Sequence, residues 1–246
     1  MQQLEYGFNQ FYEAIKPTGE EFTKLDEIDD ELHKHFQAKY MIGLAKMLMH
    51  CKQFAELDFE DKILLYKHLK PIFNQIERLY SSIQYKTENI HIPMLIYDNS
   101  AVDLEGNEIV HFKNRDKESF AKTRPLWLPF RDKLVNHLYV PMNEIKLTLH
   151  ELIYLCGQIL WSTQEINGIS SNAHQIAEEI TDQISSELHN YYMYEMRLVN
   201  YAPRLVKMIK LIDGSKTVVK SLKDITIVSQ VYNIFDFKAD LSELVS

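Results

Sequence analysis

Apolar residues in the first third of this chain recur at helical spacing. Residues 2 to 15, QQLEYGFNQFYEAI, predict a short helix stopped by Lys16-Pro17-Thr18-Gly19. A long helical stretch is then expected to run to about Lys52. There Leu32, Phe36, Tyr40, Leu44 and Leu48 keep a four-residue step that turns one stripe toward a core. The next segment, FAELDFEDKILLYK from Phe54 to Lys67, places an acidic break between two apolar patches. Asp58 is expected to cap a new helix at that break, with Asp61 in its first turn, where the helix dipole favours negative charge. That helix is predicted to reach about Ser82 and to bend near Pro71.

The pattern changes at Pro93. MLIY, AVDL and EIVHF are short runs separated by Asp98-Asn99-Ser100 and Glu105-Gly106-Asn107, and they predict a small antiparallel hairpin or meander. Pro129 then takes an expected first helical position and opens a helix to about Tyr139. Thr148-Leu149-His150-Glu151 reads as a capping box, and the helix behind it is expected to bury Leu152, Leu155, Cys156, Ile159 and Leu160. Residues 171 to 196 predict a further helix with Ile176, Ile180, Ile184 and Leu188 in one stripe. Residues 202 to 232 predict a last long one, in which Asp213-Gly214 is a candidate break. A short amphipathic piece, ADLSELV, closes the sequence. The fold class is nearly all α, with one small β insertion.

Composition narrows the function classes. Only 7 of the 246 residues are glycine and 7 are proline, which favours long helices. With 46% hydrophobic and 25% charged residues the chain is ordinary globular protein, not disordered. No repeat, low-complexity tract or linker marks a boundary, so one domain over 1–246 is expected. A net charge of -8 argues against phosphate-backbone binding by this chain alone. Cys51 and Cys156 lie far apart, which fits a reducing compartment and excludes a cysteine-ligated zinc finger. There is no run of about 18 apolar residues, and the start lacks a basic-then-apolar signal, so no membrane is expected as a partner. The ten histidines show no His-x-x-x-His or paired Cys-His spacing, and His33 and His35 point to different sides of a helix. Neither a Gly-rich phosphate loop nor a Gly-x-Ser-x-Gly turn occurs. The expectation is a protein that is not an enzyme, with no catalytic residues, no metal and no cofactor.

Phe54, Leu57, Asp61 and Leu65 resemble the signature of nuclear receptor ligand-binding domains, Phe-x-x-Leu-x-x-x-Asp-Gln-x-x-Leu-Leu. Lys62 stands in place of the glutamine and Tyr66 in place of the last leucine. KLTLHELIYLCGQILW is similar to that family's eighth helix, with Glu151 at its glutamate. NYAPRLVKMIKLI is similar to the start of the tenth, with Arg204 at the arginine that pairs with it, and FDFKADLSELVS resembles the terminal activation helix. The resemblance runs from about residue 30 to the end, and ERLYSS and NIFDF make it most like the divergent nematode receptors. It implies a three-layer antiparallel α-helical sandwich of about twelve helices with one small β-hairpin. It also implies a buried cavity for a small lipophilic or amphipathic ligand, and a last helix whose position that ligand biases. The function so implied is the ligand-binding and coregulator-recruiting domain of a ligand-regulated transcription factor of the nucleus. The alternative is a ligand-independent orphan domain with a filled pocket, acting as a dimerisation or corepressor scaffold. Implied partners are an LxxLL-type coactivator or corepressor helix and a second subunit, as homodimer or as heterodimer with another nuclear receptor, paired through Leu205 to Tyr232. DNA would be reached only through a domain absent from this chain.

The same resemblance distributes the sites. Lys46, Met49, Lys52, Ile63 and Lys67, with Leu241, Glu243 and Leu244 of the last segment, would hold a partner helix. Glu243 matches the carboxylate that caps one end of that helix, because helix ends carry unpaired backbone groups and a dipole. The lysine for the other end falls at Met49, whose thioether cannot donate, and Lys46 and Lys52 lie about one turn to either side. Asp240 takes the first apolar position of the last helix. The ligand walls would be Gln37, Tyr40 and Leu44, then Asn74, Arg78 and Ser81, then Leu222 and Ile225. Ser81 sits where several receptors keep an arginine for acidic or phenolic ligands. Lys70, Asn74 and Arg78 form an i, i+4, i+8 stripe with two readings: a polar pocket for a carboxylate or other anion, or groups solvated or salt-bridged, for example to Glu77 or Glu31. The apolar walls equally fit the core of a filled pocket. Glu151 and Arg204 would form a buried, charge-assisted structural pair.

Overall fold

A computed structural model of the chain describes residues 1–19, 22–85, 89–105, 110–113 and 117–231. In order, its elements are α1 (Gln2–Ile15), β1 (Thr23–Lys24), β2 (Glu27–Ile28), α2 (Asp30–Met49), α3 (Lys52–Ala55), α4 (Phe59–Gln84), β3 (Pro93–Tyr97), β4 (Ser100–Asp103), β5 (His111–Phe112), α5 (Lys117–Leu134), α6 (Val140–Ile145), α7 (Leu149–Leu160), α8 (Ser171–Asn190) and α9 (Ala202–Val231). Single π-helical turns at Val135–Tyr139 and Tyr191–Glu195 join α5 to α6 and extend α8. The described residues are 73% helical with small sheets, consistent with a helical sandwich. Among the described residues there are eight α-helices of six residues or more and the one-turn α3, not about twelve. Part of the difference is that α4 and α9 run uninterrupted for 26 and 30 residues.

Helix α1 buries Leu4, Phe8, Phe11 and Ile15, a 3.6-residue period, against α2. At Gly7 a Cβ would lie 2.7 Å from the Met47 carbonyl oxygen, so the two helices cross too closely for any side chain there. Asp29 caps α2, its carboxylate accepting from the Glu31 and Leu32 amides at 3.0 and 3.1 Å. The buried stripe of α2 is Phe36, Tyr40, Leu44 and Leu48, with Met47 beside it. Leu32 is not part of it: it is 52% exposed, in the first turn, one turn before the helix meets the core.

At the acidic break, Phe54 and Leu57 are buried and fill the corner between α3 and α4. Asp58 occupies the N-cap position without a side-chain capping bond. The carboxylate that matters is Asp61, buried, which accepts from the Ser170 amide at 2.9 Å and from the Ser170 hydroxyl at 2.6 Å. That hydroxyl in turn caps α8 by accepting from the Ala173 amide at 3.1 Å. One acidic residue thus fastens the start of α4 to the start of α8. From there α4 runs through the middle of the molecule, packed on α7, α9 and β3.

Four sequence expectations are corrected here. The segment read as the lead-in to a long helix holds β1 and β2 instead. β1 pairs in parallel with β4, which pairs antiparallel with β3, and β2 pairs in parallel with β5. The mid-chain hairpin is therefore only β3–β4, turned through Asp98 at φ 42°, and the third run joins a separate two-stranded sheet. Pro129 does not open a helix but lies inside α5, as does Pro125. Asp213-Gly214 does not break α9. A Cβ at Gly214 would lie 2.8 Å from the His137 carbonyl oxygen, so the glycine lets α9 pass close to the π-helical turn. No helix among the described residues is long and apolar enough to cross a membrane.

Candidate functional site

A cavity of about 230 Å³ lies between α2, α4, the β3–β4 hairpin, α5 and α9. Its wall is mainly apolar: Ile28, Met94, Val102, Leu104, Phe112, Trp127, Phe130 and Val219 contribute, among others. The polar residues come chiefly from one face of α4. Lys70, Asn74 and Arg78 line it as the i, i+4, i+8 stripe, with Gln75 beside them, and Gln37 and Tyr40 face them from α2.

Arg78 is the centre of the polar wall and is 2% exposed. Its Nε and Nη2 donate to the two carboxylate oxygens of Glu77, each at 2.7 Å, and both side chains are buried. Its guanidinium carbon lies 5.0 Å from the Phe36 ring centroid and 5.6 Å from that of Tyr40, so aromatic rings cover it as well. Burial by itself would lower the Arg78 pKa, but the adjacent Glu77 carboxylate outweighs it and the net shift is upward. Glu77 also accepts from the Ser81 hydroxyl at 2.6 Å. The Ser82 hydroxyl donates to the Arg78 carbonyl at 2.6 Å and accepts from the Leu95 amide at 2.9 Å, which ties this turn of α4 to β3.

Three buried polar atoms of the cavity residues have no hydrogen-bond partner among the described residues: the Tyr40 hydroxyl, Gln75 Oε1 and Arg78 Nη1. Buried polar atoms are rarely left so. Burial pushes the Tyr40 hydroxyl well above the usual phenol range, assisted by the charge of Glu77. Asn74 stands near enough to that hydroxyl to moderate the shift, but not in hydrogen-bond geometry.

Of the residues assigned to the ligand from sequence, Gln37, Tyr40, Asn74, Arg78 and Leu222 line this cavity, and Leu44, Ser81 and Ile225 do not. Leu44 is buried in the α2 stripe, Ile225 is buried elsewhere in the core, and Ser81 is turned to Glu77. Arg78 lines the cavity and is salt-bridged to Glu77, the partner named in the second reading of the stripe. Gln75, Trp127 and Phe130 were missed. Reading Pro129 as a helix start put Trp127 outside any element, and Gln75 carries no sequence mark of its own.

The described residues assigned to a partner helix are exposed on α2, α3 and α4. Lys46 and Met49 are exposed along a shallow groove between α1 and α2. Lys52 is exposed on α3, 3.8 Å from Glu56, and Ile63 and Lys67 are exposed on α4. Tyr66, in place of the signature's last leucine, donates to the Met41 carbonyl at 3.0 Å and joins α4 to α2. Leu241, Glu243 and Leu244 lie outside the described residues, as do Asp240 and the whole closing segment.

Glu151 and Arg204 meet as a fork. Arg204 Nε donates to Glu151 Oε1 at 2.5 Å and Nη2 to Oε2 at 2.7 Å. Nη1 donates to the Ile145 carbonyl at 2.6 Å, and Nη2 also reaches the Lys146 carbonyl at 3.3 Å, at the end of α6. Glu151 further accepts from the Thr148 amide at 2.8 Å and the Tyr192 hydroxyl at 2.7 Å. The capping box is thereby complete, and α6, α7, the turn after α8 and α9 share one polar junction.

The family model described as the ligand-binding domain of nuclear hormone receptor matches residues 19–232. Among curated proteins, the nuclear hormone receptor family member nhr-213 of Caenorhabditis elegans is 26% identical over 83% of this chain and 49% of its own length. The family member nhr-127 of the same organism is 29% identical over 76% of this chain and 53% of its own length. A high zinc activated nuclear receptor protein, also from that nematode, is 24% identical over 77% of this chain and 48% of its own length. The chain spans about half the length of the curated relatives it matches.

Proposed function

Because this chain belongs to the nuclear hormone receptor ligand-binding domain family, we propose that it is the ligand-sensing, coregulator-recruiting part of a ligand-regulated transcription factor acting in the nucleus. The observation that carries this reading is the cavity with three unpartnered polar atoms, on Tyr40, Gln75 and Arg78. Gln37, Asn74 and Leu222 complete its wall as ligand contacts. Lys46, Lys52, Ile63 and Lys67 form the exposed half of a partner-helix site, with Leu241, Glu243 and Leu244 as the other half. Met49 makes its basic end weaker than a lysine would. One relative's name refers to zinc, but no group of three or more His, Cys, Asp or Glu side chains gathers among the described residues, and the cavity suits an organic ligand.

One observation favours a second reading. At about 230 Å³ the cavity is smaller than the roughly 300–1,000 Å³ of ordinary ligand pockets. A ligand-independent scaffold, dimerising through the exposed Val206, Ile209 and Ile227 of α9, would have such a contracted interior. Native mass spectrometry of protein expressed in cells separates the two. A co-purified small molecule on each chain supports the receptor, whereas a dimer with no added mass supports the scaffold.

A further inference from the structure

The head group that the cavity accepts follows from how Arg78 is already used. Two of its three guanidinium nitrogens are spent on Glu77, at 2.7 Å each, and aromatic rings cover it. What remains is one buried donor, Nη1, on an ion pair whose net charge is zero. Gln75 lies three residues away on α4, on the same face, and its buried Oε1 lacks a donor. One side of the site therefore offers a proton and the other asks for one. A hydroxyl satisfies both. A carbonyl accepts from Arg78, and could accept from the Tyr40 hydroxyl too, but it leaves Gln75 Oε1 unmet. A carboxylate on Nη1 would share a single guanidinium with Glu77 in a water-poor interior, where two like charges repel strongly, and would present a second acceptor to Gln75.

The charged side chains elsewhere on the wall do not change this balance near Arg78. Asp103 pairs with Lys24 at 3.0 Å and Arg131 with Asp132 at 2.8 Å. Lys70 lies two turns away along α4, roughly 12 Å by helical rise, with its Nζ against Met41 Sδ at 3.9 Å. Size adds a second limit. A cavity of about 150 Å³ accepts benzene, so about 230 Å³ holds roughly ten heavy atoms.

We infer that the ligand is a small, largely apolar molecule of roughly ten heavy atoms with one uncharged hydroxyl, an alcohol or a phenol, seated between Arg78 Nη1 and Gln75 Oε1. This rests on the reading of the cavity as a ligand site.

Isothermal titration calorimetry at neutral pH with 2-naphthol, 2-methylnaphthalene and 2-naphthoate tests it, since the three differ only in one substituent. The expected order is 2-naphthol tightest, by roughly tenfold or more over 2-methylnaphthalene, the ratio one hydrogen bond to a charged donor supplies. 2-Naphthoate should bind weakest. The pair variant E77L/R78M removes both charges together and should erase the naphthol preference while retaining methylnaphthalene. Q75L, which leaves the ion pair intact, should reduce the same preference. Naphthoate equal to or tighter than naphthol would overturn the hydroxyl and point to an anion held toward Lys70. Equal binding of naphthol and methylnaphthalene would overturn polar recognition altogether. In both cases the ligand cavity itself would stand. Folded protein that binds none of the three would instead overturn the receptor reading.

Discussion

Two arginine–carboxylate pairs tie this molecule's elements together, one wholly and one partly buried, and they are finished differently. In Glu151–Arg204 the partners are distant in sequence. All three guanidinium nitrogens are used, two on the carboxylate and two on the carbonyls that end α6, with one shared. In Glu77–Arg78 the partners are neighbours on one helix, and the guanidinium keeps one buried nitrogen without a partner. The first pair has no valence left and joins elements. The second is incomplete, and its arginine lines a cavity. A buried ion pair is thus informative about function chiefly through what it leaves unsatisfied.

Breaking the incomplete pair should have the largest effect. R78M leaves Glu77, fully buried, with only the Ser81 hydroxyl among the described residues, and is expected to cost about 3–5 kcal/mol in urea melts. E77L/R78M should recover most of that loss, because it removes both charges from the interior. A double variant no more stable than R78M would show that the turn depends on the ions themselves. R204M comes next, at about 3 kcal/mol, near the low end of the same range. The Arg204 side chain is 20% exposed, and Glu151 keeps the Thr148 amide and the Tyr192 hydroxyl. Combined with E151Q its cost should be clearly less than additive, and additive losses would argue against the pairing.

Much of this contrast was legible in the sequence, though unequally. The Thr148–Glu151 capping box and the corner at Phe54 are short-range patterns, and each appears as expected. Arg204 could be placed only through the family resemblance, since no local pattern marks a partner 53 residues away. The stripe Lys70, Asn74, Arg78 was visible and Glu77 was one partner named for it, but adjacent helical residues normally diverge, so the two-pronged form of the Glu77–Arg78 bond had no sequence signal. β1 and β2 escaped because two residues cannot show an alternation, and their partners lie 77 and 84 residues downstream. Pro125 and Pro129 inside α5 contradict helix propensity outright. Each removes one amide donor, and the helix continues through both.

A third junction, Asp61–Ser170, lies between the two pairs in kind: one carboxylate held by neutral donors. S170A removes the hydroxyl that both satisfies Asp61 and caps α8, while the backbone amide remains. Loss of a helix cap typically costs about 1 kcal/mol, and the stranded acceptor should bring the total to about 1–2 kcal/mol. S170T should restore most of it. A Thr variant as unstable as Ala would place the contribution in packing, not in the shared hydroxyl.

Acid titration offers the finest comparison. Burial alone would raise the Glu151 carboxyl. The Arg204 guanidinium, the Thr148 amide and the Tyr192 hydroxyl more than offset this and hold it below the ordinary carboxylate range. A carboxyl whose folded pKa is depressed contributes stability that is complete above its unfolded value, about 4.3, and is lost as pH falls through the lower folded value. The difference in unfolding free energy between the wild-type chain and E151Q should therefore stay flat from neutrality to about pH 5 and shrink only in stronger acid. Urea midpoints of the two proteins across that range provide the measurement. A gap that stays flat or widens as pH falls through 4 would mean that the folded carboxyl is not depressed and that Arg204 holds Glu151 less firmly than the fork geometry requires. The saturated pair would then resemble the incomplete one, and the contrast between a joint and a binding site would have to rest on the cavity alone.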